Sequence, residues 1–147
     1  MRAALDKNTG ILSAMLVDYG VAHRAKLEPT VVKPNGMILG KNAGTMDVVE
    51  FLPDEKESEF KVITRGWMNV QNRSNNYNKE VVIEGEEYEF DLELQPIDYT
   101  ILKGHKLGFI IYSTDAEATQ RPFLKTKFTI DTSSIKLEIP VVGGKIK

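Results

Sequence analysis

Between Glu87 and Leu94 the chain alternates without a break. Tyr88, Phe90, Leu92 and Leu94 are apolar, while Glu87, Glu89, Asp91 and Glu93 are acidic. Successive side chains of a strand point to opposite faces, so this pattern predicts one dry face and one wet face. Nine residues, among them Pro96, which has no N–H for a sheet ladder, separate Leu94 from Gly104. A second strand is expected to open at His105 and run through Leu107, Phe109 and Ile111. Ile110 and Tyr112 on the other parity predict that it is central, covered on both faces.

The remaining chain is punctuated in the same style. Gly10 and Gly20 bracket a strand from Ile11 to Tyr19 that carries apolar residues on both parities, again the mark of a central strand. From Val21 to Lys41 the pattern weakens around Pro29, Pro34, Asn35, Gly36 and Gly40, leaving Val31-Val32 and Met37–Leu39 as short pieces able to pair. Thr45–Leu52 is expected to be a strand stopping at Pro53, with Asp54–Glu59 as a solvated turn. Phe60, Val62 and Thr64 begin another, where Gly66 marks a bulge or a close backbone approach. Asn72–Asn78 reads as a polar loop. Asp115–Pro122 is long enough for one helical turn, Phe128 and Ile130 face inward, and Ser133-Ser134 make a turn. Ile135, Leu137 and Ile139 alternate toward Pro140 as a last strand.

Seven to nine strands between turn clusters, with no 3.6-residue periodicity, predict an all-β fold: a two-sheet β-sandwich or jelly roll. A chain of 147 residues favours one domain, here 1–147, with an ordered core over about 10–140 and tails at 1–9 and 142–147. Its length lets it bury about 68–70% of its unfolded surface, enough for a core without disulfide or metal. The net charge is −2 with the signs mixed, which offers no basic field for nucleic acid or anionic lipid. With no cysteine, disulfides and thiolate metal sites are excluded, and a reducing cytoplasm is compatible. No apolar run nears the roughly 20 residues of a membrane span, and Met1–Asn8 lacks the apolar core of a secretory signal.

No catalytic, cofactor-binding or metal-ligating residue is expected in this sequence. Gly36–Lys41 resembles a phosphate loop only loosely: the glycine spacing is short, and Asn42 stands where Ser or Thr must ligate magnesium, so a plain turn is expected. No Gly-x-Ser-x-Gly elbow is present. His23 and His105 lack a carboxylate at metal-pair spacing and read as a surface histidine beside Arg24 and a strand-opening histidine after Gly104. The acidic row Glu87, Glu89, Asp91 and Glu93 projects side by side from one strand. It reads as a solvated, edge-protecting face rather than a cation site. Asn72-Arg73-Ser74 matches a glycosylation triplet but needs a secreted context. Trp67, Tyr77 and Tyr99 are candidates for an aromatic sugar platform, weighed against ordinary core or rim packing.

Five ordered pieces carry a resemblance that covers about Gly10 to Pro140. They are Leu12-Ser13-Ala14-Met15-Leu16-Val17-Asp18-Tyr19-Gly20, then Asn69-Val70-Gln71-Asn72-Arg73, then Leu94-Gln95-Pro96 with Asp98-Tyr99. Gly104-His105-Lys106-Leu107 leads on to Ile111-Tyr112-Ser113-Thr114-Asp115, and Thr129-Ile130-Asp131 with Ser134 precedes the closing Leu137-Glu138-Ile139-Pro140. Together they resemble the C-terminal, non-catalytic domain of bacterial Xaa-Pro dipeptidyl-peptidases, serine peptidases of the superfamily that includes cocaine esterases and glutaryl acylases.

The resemblance implies a galactose-binding-domain-like sandwich with no cofactor of its own. It further implies an accessory role on an α/β-hydrolase catalytic domain of the same parent chain, shaping substrate access or dimerisation. The parent is then a cytoplasmic homodimer that removes N-terminal Xaa-Pro dipeptides, with no nucleic-acid or membrane partner. None of the family's Ser, Asp and His triad maps onto this sequence, so Met1 is expected to open an excised or truncated piece rather than a complete enzyme. Two alternatives stand beside this: an autonomous carbohydrate-binding module, and the equivalent domain of a cocaine-esterase-like or acylase relative.

Overall fold

The computed structural model describes residues 1–27, 31–32, 38–39, 51–115, 118–120 and 124–143. Among these residues the regular elements are strands and two short 3₁₀ turns, Val70–Asn72 and Thr132–Ser134. The strands are β1 (Arg2–Leu5), β2 (Ile11–Leu27), β3 (Val31–Val32), β4 (Ile38–Leu39), β5 (Phe51–Asn69), β6 (Glu87–Glu89), β7 (Lys106–Tyr112) and β8 (Phe128–Asp131). They form two three-stranded antiparallel sheets, ordered β6-β1-β8 and β5-β2-β7, plus the β3-β4 pair. The fold class is therefore all-β, as the turn-separated alternation predicts.

The chain divides into two compact units, to both of which β2, β5 and β7 contribute residues. The first comprises Met1–Met15, Thr64–Pro96 and Phe109–Lys147. Its centre is β1, which pairs antiparallel with β6 (Ala3 opposite Tyr88) and with β8 (Ala3 opposite Ile130). Strand alternation sends Ala3 and Leu5 inward, where they meet Leu12, Val70, Val82 and Phe90, all buried. Met68, Tyr88, Ile111, Phe128 and Ile130 close over them, so side chains from both sheets share one sandwich core. Burying a Leu or Phe side chain fully stabilises by ~1.5–3 kcal/mol, and Leu5, Leu12 and Phe90 are at 2% exposure or less.

The second unit comprises Leu16–Ile63 and Ile97–Gly108. Leu16, Val17 and Ile63 are buried apolar residues among its described ones, and β3 pairs antiparallel with β4, Val31 opposite Leu39. This pairing joins the short apolar pieces singled out in the sequence. Of Gly36–Lys41, expected to be a plain turn, Ile38 and Leu39 are described and form β4; its other residues lie outside the described ones, as do 45–50 of the expected Thr45–Leu52 strand.

Several local expectations need correction. Residues 2–5, assigned to an N-terminal tail, form the central strand β1; its short Ala-rich sequence carries little strand signal of its own. The strand after Gly104 is not central. It occupies a sheet edge as β7, with half-buried residues on both parities, while β2 takes the centre as its two apolar faces predict. Pro53 does not stop a strand and Asp54–Glu59 is not a turn, since β5 runs through both. An edge position accommodates this: an edge strand can carry a proline whose nitrogen faces away from its neighbour, and a charged edge resists pairing with another chain. Ile135–Ile139 forms no strand.

Beyond β6 the alternation persists without regular ladder bonds. Phe90 is buried, Leu92 and Leu94 are half-buried, and Asp91 and Glu93 are exposed. The run is tied to β5 by Gln95 N–H donating to Arg65 O (3.0 Å) and the Thr64 hydroxyl donating to Gln95 O (2.5 Å). A Cβ on Gly66 would come within 2.1 Å of Glu93 O, which is the close backbone approach that a mid-strand glycine suggests.

Candidate functional site

Within the second unit, β2 turns Asp18, Gly20 and Arg24 to one face, at even separations along a strand. Asp18 is 0% exposed. Arg24 Nη1 donates to Asp18 Oδ2 at 2.7 Å and Nη2 to Gly20 O at 2.6 Å. The Tyr99 hydroxyl donates to the same Oδ2 at 2.7 Å, and His105 Nδ1, which must carry the proton to face a carboxylate, lies 2.9 Å from Oδ1. Gly20 makes room for that imidazole: a Cβ there would fall 2.2 Å from His105 Cδ2.

Burial pushes the Asp18 carboxyl upward, but the hydrogen bonds from Tyr99, His105 and Arg24, together with the guanidinium charge, hold it below its ordinary value. Burial and the neighbouring carboxylate push the Tyr99 phenol up. Asp18 is thus an anion at neutral pH, faced by three donors, and it has no proton to give. Among the described residues, Arg24 Nε is a buried polar atom of the cluster with no hydrogen-bond partner.

The first unit holds a cluster of the same kind. Asp115, 4% exposed, accepts from Tyr112 OH at 2.7 Å and Arg65 Nη1 at 3.1 Å, and its own carbonyl accepts from Thr119 N–H and the Thr119 hydroxyl, both at 2.7 Å. Of the Asp115–Pro122 stretch expected to hold one helical turn, residues 116, 117, 121 and 122 lie outside the described ones. Each cluster satisfies a buried carboxylate with one arginine and one tyrosine, the arrangement that makes a buried charge tolerable.

The first unit also contains a polar cleft of about 480 Å³, with Trp67 on one wall and Asn72, Asn76, Asp91, Glu93 and Gln95 among its lining residues. Arg73 lines it too, but its guanidinium is committed: it pairs with Glu80 at 2.9 Å, donates to Val70 O and Val81 O, and lies over the Tyr88 ring at 4.4 Å.

The other residues singled out in the sequence fall as follows. His23 is exposed beside Arg24, with Nδ1 2.9 Å from Asp54 O and Nε2 3.7 Å from Glu57. No hydroxyl is hydrogen-bonded to either histidine ring among the described residues, and no three His, Asp or Glu side chains there converge on a point that could hold a metal. The acidic row is exposed throughout, as a solvated face should be. Of the three candidate platform aromatics, Trp67 lines the cleft of the first unit, Tyr77 is 93% exposed and is not among the cleft's lining residues, and Tyr99 is bound to Asp18 within the second unit. Sequence reasoning missed the Asp18 cluster. Its legible signal was an acidic residue inside an apolar strand with an arginine six positions on, hence on the same face.

What these two units define is an all-β domain whose buried ionic groups hold its own strands and loops together. Over residues 1–145 the chain matches the model of the X-Pro dipeptidyl-peptidase C-terminal non-catalytic domain, and it belongs to that family. Its relatives include the Xaa-Pro dipeptidyl-peptidase of Lactiplantibacillus plantarum, 35% identical over 138 residues, which are 94% of this chain and 17% of that protein. That of Lacticaseibacillus rhamnosus is 38% identical over 137 residues (93% and 17%), and that of Streptococcus sanguinis 36% over 142 residues (97% and 18%). The chain therefore spans less than a fifth of the length of these relatives. Asp18, Tyr99, His105, Tyr112 and Asp115, which lie in the sequence pieces that carry the family resemblance, are five of the residues of the two buried clusters; the arginines, Arg24 and Arg65, lie outside those pieces.

Proposed function

We propose that this chain serves, as a single accessory domain, a larger Xaa-Pro dipeptidyl-peptidase in which a separate α/β-hydrolase domain removes N-terminal Xaa-Pro dipeptides. In this reading the domain packs on the catalytic part and shapes access to it or dimerisation, in a cytoplasmic, homodimeric parent. Family membership and the names of the relatives support the assignment. The observation that carries the packing is an apolar sheet face in the second unit. Tyr19 and Val21 project from β2 to the face opposite Asp18 and are 43% and 61% exposed; Phe60 of β5, 56% exposed, lies with its ring 6.3 Å from that of Tyr19. Large apolar side chains grouped on one exposed face mark a surface that meets a partner. Among the described residues, no helix is long and apolar enough to cross a membrane.

The test joins this chain to its parent. The 147-residue chain alone is expected to release no chromophore from an Xaa-Pro anilide. In the full-length peptidase, Val21→Glu with Phe60→Glu is expected to make the domain susceptible to proteolytic release and to lower turnover. Both side chains are exposed, so the double variant of the isolated chain should unfold as the unmodified chain does. Turnover by the chain alone, or a full-length double variant indistinguishable from its parent, defeats the reading.

A further inference from the structure

The Trp67 cleft has no part in that reading, and its chemistry is specific. Its volume, about 480 Å³, lies within the range of small-molecule sites. Arg73 is occupied by Glu80, two carbonyls and the Tyr88 ring, so among the described lining residues there is no free cation to receive a phosphate or carboxylate. By contrast, among the described residues Asp91, Glu93, Gln95 and Asn76 have no side-chain hydrogen bond or ion pair, and neither does the indole N–H of Trp67, which is 38% exposed. Asn72 donates to Asn78 O, and its side-chain carbonyl is unengaged.

These groups are of both kinds. The carboxylates and amide carbonyls accept, while the amide NH₂ groups and the indole N–H donate. An ammonium ligand would satisfy the acceptors and leave the donors unmet. A saccharide hydroxyl both donates and accepts, and the C–H face of a pyranose ring is the natural cover for a half-exposed indole. Asp91 and Glu93 sit two residues apart on the wet face of one extended segment, so both carboxylates reach the same wall. We propose that this cleft is a binding site for a neutral saccharide, with Trp67 as the stacking surface and Asp91, Glu93 and Gln95 as the hydroxyl partners.

Trp67 is the only tryptophan in the chain, so its emission reports on this site alone. The experiment titrates the full 147-residue chain separately with maltose, cellobiose and lactose, and with trilysine as a cationic competitor class. The expected result is a saturable change of tryptophan emission with at least one disaccharide. The pair Asp91→Ala and Gln95→Ala should weaken that binding about tenfold or more. Both positions are exposed, so circular dichroism should show the pair folded as before. Three results overturn the proposal: no saturable change with any of the disaccharides, a response to trilysine alone, or undiminished disaccharide binding by the double variant.

Discussion

Replacing Asp18 by Asn tests the claim that the second unit is held together by one buried anion. Asparagine keeps the shape but removes the charge, and it sets an NH₂ group among three donors: the Arg24 guanidinium, the Tyr99 hydroxyl and the His105 N–H. At least one of them must lose its acceptor, and Arg24, with its side chain 12% exposed, is left as a poorly hydrated cation. Removing one partner of a buried pair costs about 3–5 kcal/mol. We take about 3 kcal/mol, because Arg24 retains Gly20 O. At a urea slope of about 2 kcal/mol/M, the unfolding midpoint followed by circular dichroism should fall by about 1.5 M at neutral pH.

The pH dependence follows from the sign of the shift. The folded carboxyl of Asp18 lies below its unfolded value of 3.8, so its stabilisation is present above that value and is lost as pH falls through the folded one. The gap between the unmodified chain and Asp18→Asn should therefore shrink in acid below pH 3.8. A neutral-pH midpoint within about 0.3 M of the unmodified chain, or a gap that stays constant into acid, would refute the reasoning.

Two further outcomes follow from the packing. Ser13 is 0% exposed and its hydroxyl has no partner, so Ser13→Ala should raise stability by about 1 kcal/mol, seen as a higher urea midpoint; a lower midpoint would mean the hydroxyl is satisfied in solution. In Gly20→Ala the added methyl displaces the His105 ring, at a cost of about 1–3 kcal/mol, and its effect should be less than additive with Asp18→Asn in a double-mutant cycle because both break the same contact.

Individual residues show how far the sequence reached. Phe128 and Ile130 pack inward, β2 is central, Asn72–Asn78 is a polar loop and Gly66 sits against backbone, because each of these is written in local alternation or in a turn residue. The clusters were not legible in the same way. Asp18 and Tyr99 are 81 residues apart, Asp18 and His105 are 87, and the pairing of Arg65 with Asp115 spans 50. Nothing periodic connects such positions.

Strand character, the wet acidic row and the family came from the amino-acid sequence alone, since period-two patterning and ordered motifs are properties of neighbours along the chain. The tertiary structure decided which strand lies at an edge, made β1 from residues with little propensity of their own, and set the opposed donors around Asp18 and Asp115. Edge position and charge pairing depend on which distant segments meet, and long-range contacts, unlike alternation, are set only when the chain closes on itself.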